Sequence, residues 1–258
     1  MKFGHCAQPG EFAAVKRSGY AFTELRGKAV AAMSDEAFDQ VCRELDELEL
    51  PCLGFNAYCP AEVVIAGPGY DRANTRAYAA RLAARAGRLG IRQVGIGSPA
   101  SRTLPEGYDR KKAKAQLREF LMDTAECFDP VGVKVALEPL APCFCNCVND
   151  YDEGEAIARA LQPHKVGLIL DFLNMELSGE DERELLTLVP SVLHTHISDY
   201  DGTPYRRDEL KPAYYERHRE RLRRLKAAGY DGSVSIETDL PYDEERAQQT
   251  LLAIRDIG

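Results

Sequence analysis

Eight short runs rich in aliphatic, β-branched and aromatic residues punctuate the chain: MKFGHCA (1–7), YAFTEL (20–25), PCLGFNAY (51–58), IRQVGIG (91–97), VKVALEP (133–139), VGLILD (166–171), VLHTHISD (192–199) and SVSIETD (233–239). Runs of this length and composition predict buried strands. Longer stretches of helical period lie between them. SDEAFDQVCRELDELEL opens on Ser34, an N-cap residue, with acids in its first turn. TRAYAARLAARAGRLG ends at Gly90, the expected glycine just past a helix. DRKKAKAQLREFLMDTAECF and PAYYERHRERLRRLKAAGY are amphipathic. Their basic residues read as wet helix faces rather than a binding patch. The interval after the first run is the thinnest, since residues 9–18 hold barely two helical turns.

Eight strands alternating with helices over 258 residues predict an α/β fold, a single-domain (β/α)8 barrel spanning residues 1–258. A doubly wound open sheet is the alternative. No G-x-G-x-x-G follows the first run, which counts against its dinucleotide-binding version. Barrel strands alternate between interior and helix-facing positions. In KVALE that alternation sends Val135 and Leu137 outward, Ala136 and Glu138 inward. In LILD it turns Ile169 and Asp171 inward, in LHTHI His194 and His196, and in SVSIE Ser235 and Glu237.

Each of the last four strands therefore delivers a polar side chain at or near its C-terminal end, where barrel active sites lie. A carboxylate ending an apolar strand is costly unless something neutralises it. One divalent cation shared by Glu138, Asp171, His196 and Glu237 would do so. The spacings, 33, 25 and 41 residues, each approximate one βα unit, so neighbouring strands would give one ligand apiece. Three carboxylates and one imidazole favour Mn, Mg or Co, with Zn left open. The bland alternatives are a helix cap or loop ion pair for each acid and a packed, hydrogen-bonded histidine.

Composition narrows the picture. The net charge of −8 argues against a nucleic-acid partner, which calls for a basic face. No stretch approaches the roughly 20 apolar residues that cross a bilayer, so no membrane partner is expected. The opening MKFGHCAQPGEF lacks a signal-like apolar core, and the expectation is a cytoplasmic protein. Three of the eight cysteines lie in CFCNC (Cys143, Cys145, Cys147). Their spacing is not that of paired zinc ligands, and reduced thiols packed as small apolar groups are expected.

The sequence resembles the sugar phosphate isomerase/epimerase family, the xylose-isomerase-like barrels that include ketose 3-epimerases and hydroxypyruvate isomerases. The likeness is carried by GIGSPASRTLPEGYDRKKA (95–113), LEPLAPCFCN (137–146), LDFLNM (170–175), HTHISD (194–199) and GYDGSVSIE (229–237). It implies a divalent metal on Glu138, Asp171, His196 and Glu237, the residues that strand parity selects. It also implies that Glu138 and Glu237 act as an acid/base pair on a carbohydrate carbon, through an enediolate. Arg102 matches an arginine common in these chains; it would touch an anionic substrate or brace its loop. His194, Asn174 and Phe144 fall at substrate-facing positions. Three departures stand out. Phe144 replaces a glutamate, Asn174 replaces a histidine, and the arginine usual near Thr203 is displaced to Arg206 or Arg207. The expected function is a metal-dependent isomerase or epimerase of a small sugar or sugar derivative. A lyase or dehydratase on the same platform and a non-catalytic sugar-binding protein stay open, as does a homo-oligomer. An abasic-site endonuclease, which uses a histidine-rich three-zinc cluster, fits poorly with five histidines.

Overall fold

The computed structural model describes residues 1–256. Its strands are β1 (Lys2–Cys6), β2 (Phe22–Arg26), β3 (Cys52–Asn56), β4 (Gln93–Ile96), β5 (Lys134–Leu137), β6 (Gly167–Asp171), β7 (Val192–Ile197), β8 (Asp199–Tyr200), β9 (Arg207–Asp208) and β10 (Ser233–Ile236). Eight of them, all but β8 and β9, close into a barrel in the order β1-β10-β7-β6-β5-β4-β3-β2, and every barrel pairing is parallel. Each predicted run coincides with one barrel strand, β2 alone running one residue past its run, to Arg26. The helices are α1 (Phe12–Arg17), α2 (Gly27–Ala32), α3 (Asp35–Glu47), α4 (Arg72–Leu89), α5 (Arg110–Phe128), α6 (Tyr151–Ala160), α7 (Phe172–Leu177), α8 (Tyr215–Ala227) and α9 (Glu244–Ile254). Among the described residues, no helix is long and apolar enough to cross a membrane.

Local chemistry sets the helix ends as expected. Ser34 Oγ accepts from Ala37 N at 3.2 Å and opens α3. Gly90 closes α4 at φ 64°, a left-handed conformation that costs glycine little. The thin first interval does fold into a helix, the six-residue α1, whose Phe12 and Val15 are buried.

The barrel interior is filled by side chains, and close approach needs small residues there. A Cβ on Gly4 would come within 2.2 Å of the Phe22 ring, and one on Gly95 within 3.3 Å of Ile169. Outward positions such as Val135, Leu168, Leu170, Val234 and Ile236 join the apolar layer beneath the helices. The remaining two strands, β8 and β9, pair antiparallel as a hairpin between β7 and α8. Just past this hairpin, Glu209 Oε1 lies 2.6 Å from Nε2 of His5 on β1, both buried. The hairpin is thereby tied across the seam where the first and last barrel strands meet.

The cysteines are all free, with Cys143 exposed and Cys145 and Cys147 buried. The CFCNC segment is a series of turns rather than an extended strand, so its three thiols do not line one face.

Candidate metal centre

Four successive strands around the barrel, β5, β6, β7 and β10, bring Glu138, Asp171, His196 and Glu237 together. One ligand atom from each lies within 4.8 Å of all the others. Glu138 and Glu237 sit one residue beyond their strands and keep the strand direction. Glu138 N donates to Ile96 O at 3.1 Å, and Glu237 N donates to Ile197 O at 3.2 Å. Asp171 ends β6 and caps α7: its Oδ1 accepts from Asn174 N at 2.9 Å. That bond leaves Oδ2 facing the cluster.

The hydrogen bonds divide each ligand into a held side and an open side. Glu138 Oε1 accepts from Asn174 Nδ2 at 2.9 Å, and Glu237 Oε1 accepts from Asn56 Nδ2 at 2.9 Å. His196 Nε2 donates to Glu24 Oε2 at 3.1 Å, which turns Nδ1 toward Glu237 Oε2, 3.4 Å away. Both His196 Nδ1 and Asp171 Oδ2 are buried; Nδ1 makes no hydrogen bond, and Oδ2 faces the Arg207 guanidinium, whose Nη1 lies 2.7 Å away. Buried polar atoms are almost always partnered, so an orphan imidazole nitrogen and a carboxylate oxygen that already faces a positive charge, both aimed into one acidic cluster, fit a cation. The donor set, three carboxylates and an imidazole with a carboxylate behind it, suits a divalent ion.

The electrostatics carry the same signature. The Glu138 carboxyl is raised to about 8, by burial first and then by the charges of Glu237 and Asp171. Burial alone would lower His196, yet Glu237 and Glu24 lift it to about 10. Without a cation, protons compensate the crowded acids. Asp171 goes the other way: burial would raise it, but Arg207 and His196 hold it below the usual carboxylate range.

Beneath the tetrad lies a second buried network, which the sequence reading missed. Glu24 on β2 lies 2.6 Å from His194 Nε2 and accepts from Gln93 Nε2 at 3.3 Å. Burial would raise its carboxyl, but His194 and His196 hold it well below the normal range. Cys6, Glu24 and His196 are close enough to be considered as a second metal group. We read them as a hydrogen-bonded support instead. Both Glu24 oxygens already accept from histidine nitrogens, and burial followed by Glu24 itself pushes the Cys6 thiol up, away from the ligating thiolate. The signal for Glu24 was available: in YAFTEL it shares the inward parity of Phe22.

Other site expectations fare differently. Phe144 lines a cavity of about 220 Å³ above the tetrad, together with Leu140, Tyr205, Arg207, Glu138 and Glu237. Its ring meets Tyr205 edge-on at 5.2 Å. Asn174 is buried, and its side chain is spent on Glu138 and on Ala141 N. Substrate contact by Arg102 does not fit its placement. It is fully buried and donates to the carbonyls of Gly97, Cys147 and Glu138 at 2.9, 3.1 and 2.6 Å, so it braces the loops. His194 likewise lies below the cavity, between Glu24, Ser233 and Ser235, because a buried imidazole takes the nearest partners. Of the two displaced arginines, Arg206 pairs with Asp201 at the surface, whereas Arg207 enters the tetrad. A larger hollow, about 490 Å³, lies beside Met1, Arg17 and Leu251 and holds none of these residues.

The fold and the tetrad together define a (β/α)8 barrel with a candidate cation site at its C-terminal mouth. The chain belongs to the xylose isomerase-like TIM barrel family, whose pattern it matches over residues 12–257. It is similar in structure to 3-keto-D-glucoside 4-epimerase, YcjR, from E. coli (TM-score 0.75, 18% identity, 99% of each chain). It is also similar to a D-psicose 3-epimerase crystallised in the presence of D-fructose (TM-score 0.78, 16% identity, 100% of this chain and 99% of that one). A third similar structure is an IolI protein with a bound zinc atom (TM-score 0.76, 19% identity, 100% of this chain and 99% of that one). No curated protein matches the sequence.

Proposed function

We propose that this protein is a divalent-metal-dependent isomerase or epimerase of a sugar or sugar derivative. The observation that carries the proposal is the convergence of four ligand atoms from four adjacent strands, with His196 Nδ1 left without a hydrogen-bond partner. Glu138, Asp171, His196 and Glu237 would hold the ion, which supplies Lewis-acid polarisation of neighbouring substrate oxygens when bound. The structurally similar sugar epimerases support the substrate class, and the zinc-bound IolI structure supports a metal. Manganese, magnesium or cobalt suits the oxygen-rich set better than zinc.

The chain's own residues supply the proton chemistry. Glu138 and Glu237 both line the cavity, and each has one oxygen held by an amide, Asn174 or Asn56. Each carboxylate is thereby oriented while its other oxygen remains free to exchange a proton with a substrate carbon, by way of an enediolate. Arg102 fixes the Glu138 carbonyl, and Gly97 leaves room for its side chain: a Cβ there would lie 2.5 Å from Oε2. Leu140 and Phe144 give the cavity an apolar wall that restricts water around the reacting carbon. The protein would act in the cytoplasm as one domain on a small free carbohydrate, without a nucleic-acid or membrane partner.

The test is proton exchange followed by NMR in deuterated water, with candidate ketoses and Mn2+. Wild type should place deuterium at the reacting carbon. E138Q and E237Q should each lose about a thousandfold or more in turnover while binding substrate less than tenfold more weakly, as removal of a positioned acid/base does. An unsaturated product would convert the reading to a lyase. Ligand binding without any exchange would convert it to a sugar-binding protein.

A further inference from the structure

The guanidinium of Arg207 lies inside the tetrad. Its Nη1 is 2.7 Å from Asp171 Oδ2 and 3.2 Å from Glu237 Oε2, and its Nη2 is 4.0 Å from Glu138 Oε1. One fixed positive charge thus faces all three acids among the four candidate ligands. The oxygens it faces most closely are on the open sides: Asp171 Oδ2 is the oxygen that the Asn174 amide leaves free, and Glu237 Oε2 is the oxygen that Asn56 leaves free.

This arginine is delivered by structure. It opens β9, its N donates to Asp239 Oδ2 at 3.2 Å, and its carbonyl accepts from Asp239 N at 3.0 Å. Its Nη1 donates to Ser198 Oγ at 3.0 Å. The next residues are anchored as well, Asp208 to Arg246 at 2.8 Å and Glu209 to His5 at 2.6 Å. The whole side chain is buried. The anchored hairpin thereby delivers the guanidinium to the tetrad.

We propose that Arg207 is a built-in counter-cation of the metal centre, competing with the divalent ion for Asp171 and Glu237 and setting metal affinity below what the four ligands alone would give. The inference rests on the metal reading of the tetrad given above. In the metal-free protein the guanidinium offsets part of the mutual repulsion of two buried acids, Glu138 and Asp171, and the partly buried Glu237. When the ion enters, a single charge and a double charge lie within a few ångströms of each other in a poorly screened site. The repulsion, even at an effective dielectric of about 20, is large enough to shift affinity about tenfold or more.

The probe is Mn2+ alone, titrated into metal-stripped wild type, R207Q and R207K, with free Mn2+ read by electron paramagnetic resonance. R207Q should bind Mn2+ about tenfold or more tightly than wild type, and R207K should stay near wild type. An arginine that merely supported the fold would weaken the ion on removal, so tightening is the distinguishing sign. Bound Mn2+ with equal or weaker affinity in R207Q overturns the counter-cation while leaving the metal reading in place. No Mn2+ bound by either protein overturns the metal reading, and the counter-cation with it. Should R207Q fail to fold, a crystal structure of wild type soaked in Mn2+ decides. Withdrawal of Nη1 from Asp171 Oδ2 supports competition; an unmoved guanidinium beside a seated ion overturns it.

Discussion

The two halves of the barrel follow the same inside-outside alternation and put it to different use. In the first four strands the inward positions carry Glu24, Asn56 and Gln93 among small residues such as Gly4 and Gly54. In β5, β6, β7 and β10 they lead to Glu138, Asp171, His196 and Glu237. Glu24 and Asp171 are both deeply buried, yet the two Glu24 oxygens face the imidazoles of His194 and His196 beneath the mouth, whereas Asp171 Oδ2 faces the Arg207 guanidinium inside the acidic cluster. The difference teaches how to read a buried charge. A carboxylate that holds two imidazoles beneath the mouth supports its neighbours; one that faces a positive charge among other acids lies where a cation would be held.

The sharpest way to break this comparison is to damage the first half and watch the second. Arg102, in the loop after β4, donates to three backbone carbonyls, those of Gly97, Cys147 and Glu138. R102M should cost about 3 kcal/mol or more of unfolding free energy, because it strands buried acceptors, and should raise the exchange rate of the Glu138 amide. Denaturant unfolding with hydrogen exchange measures both; an unaltered midpoint would show that the brace is idle. Next in size comes E24Q, which keeps the shape and removes the charge behind His196. Mn2+ affinity should fall about 10–100-fold, the usual effect of losing a carboxylate behind a metal-bound histidine. A change below threefold would mean that Glu24 only fills space.

The smallest expected effect is on acidity. Glu138 titrates at about 8 when folded, above its ordinary value near 4.5, so the folded protein keeps a proton that the unfolded chain has lost. Stability therefore declines as pH climbs from about 4.5 to 8. His196, raised from 6.5 to about 10, adds stability that is complete below 6.5 and disappears through 10. Asp171 and Glu24 are shifted downward, so their contributions are lost only on acidification and do not oppose the decline near neutrality. The metal-free protein should melt roughly 3–8 °C lower at pH 9 than at pH 6, and saturating Mn2+ should flatten that slope. A higher melting point at pH 9 would contradict the acid crowding.

Much of this was legible in the chain. The eight strand runs, the Ser34 cap and the Gly90 stop are local signals, and the structure has all of them. Parity placed Glu138, Asp171, His196 and Glu237 on the inside because each sits where an apolar run ends. The same rule held for Glu24 and Asn56 but drew no notice, since a polar residue within a strand looks like noise until its partner is known. Arg102 and His194 were legible as polar residues near the mouth and not as to what they would bond. Their partners come from Gly97, Glu138, Cys147, Glu24 and Ser233, and only the closed barrel brings those together. Arg207 was the least legible. Its approach to Asp171 depends on the backbone of DYDGTPYRR doubling back on itself, which side-chain periodicity does not encode.

The tie between His5 and Glu209 has a consequence for assembly. The first barrel strand and the loop that completes the mouth are latched together, and the last barrel strand, β10, fits between β7 and β1. Nascent chain cannot finish the candidate centre piecemeal, because Glu237, its fourth ligand position, directly follows β10. Ion uptake during synthesis would therefore report the last act of folding, and a partly made polypeptide would have no finished grip on the metal.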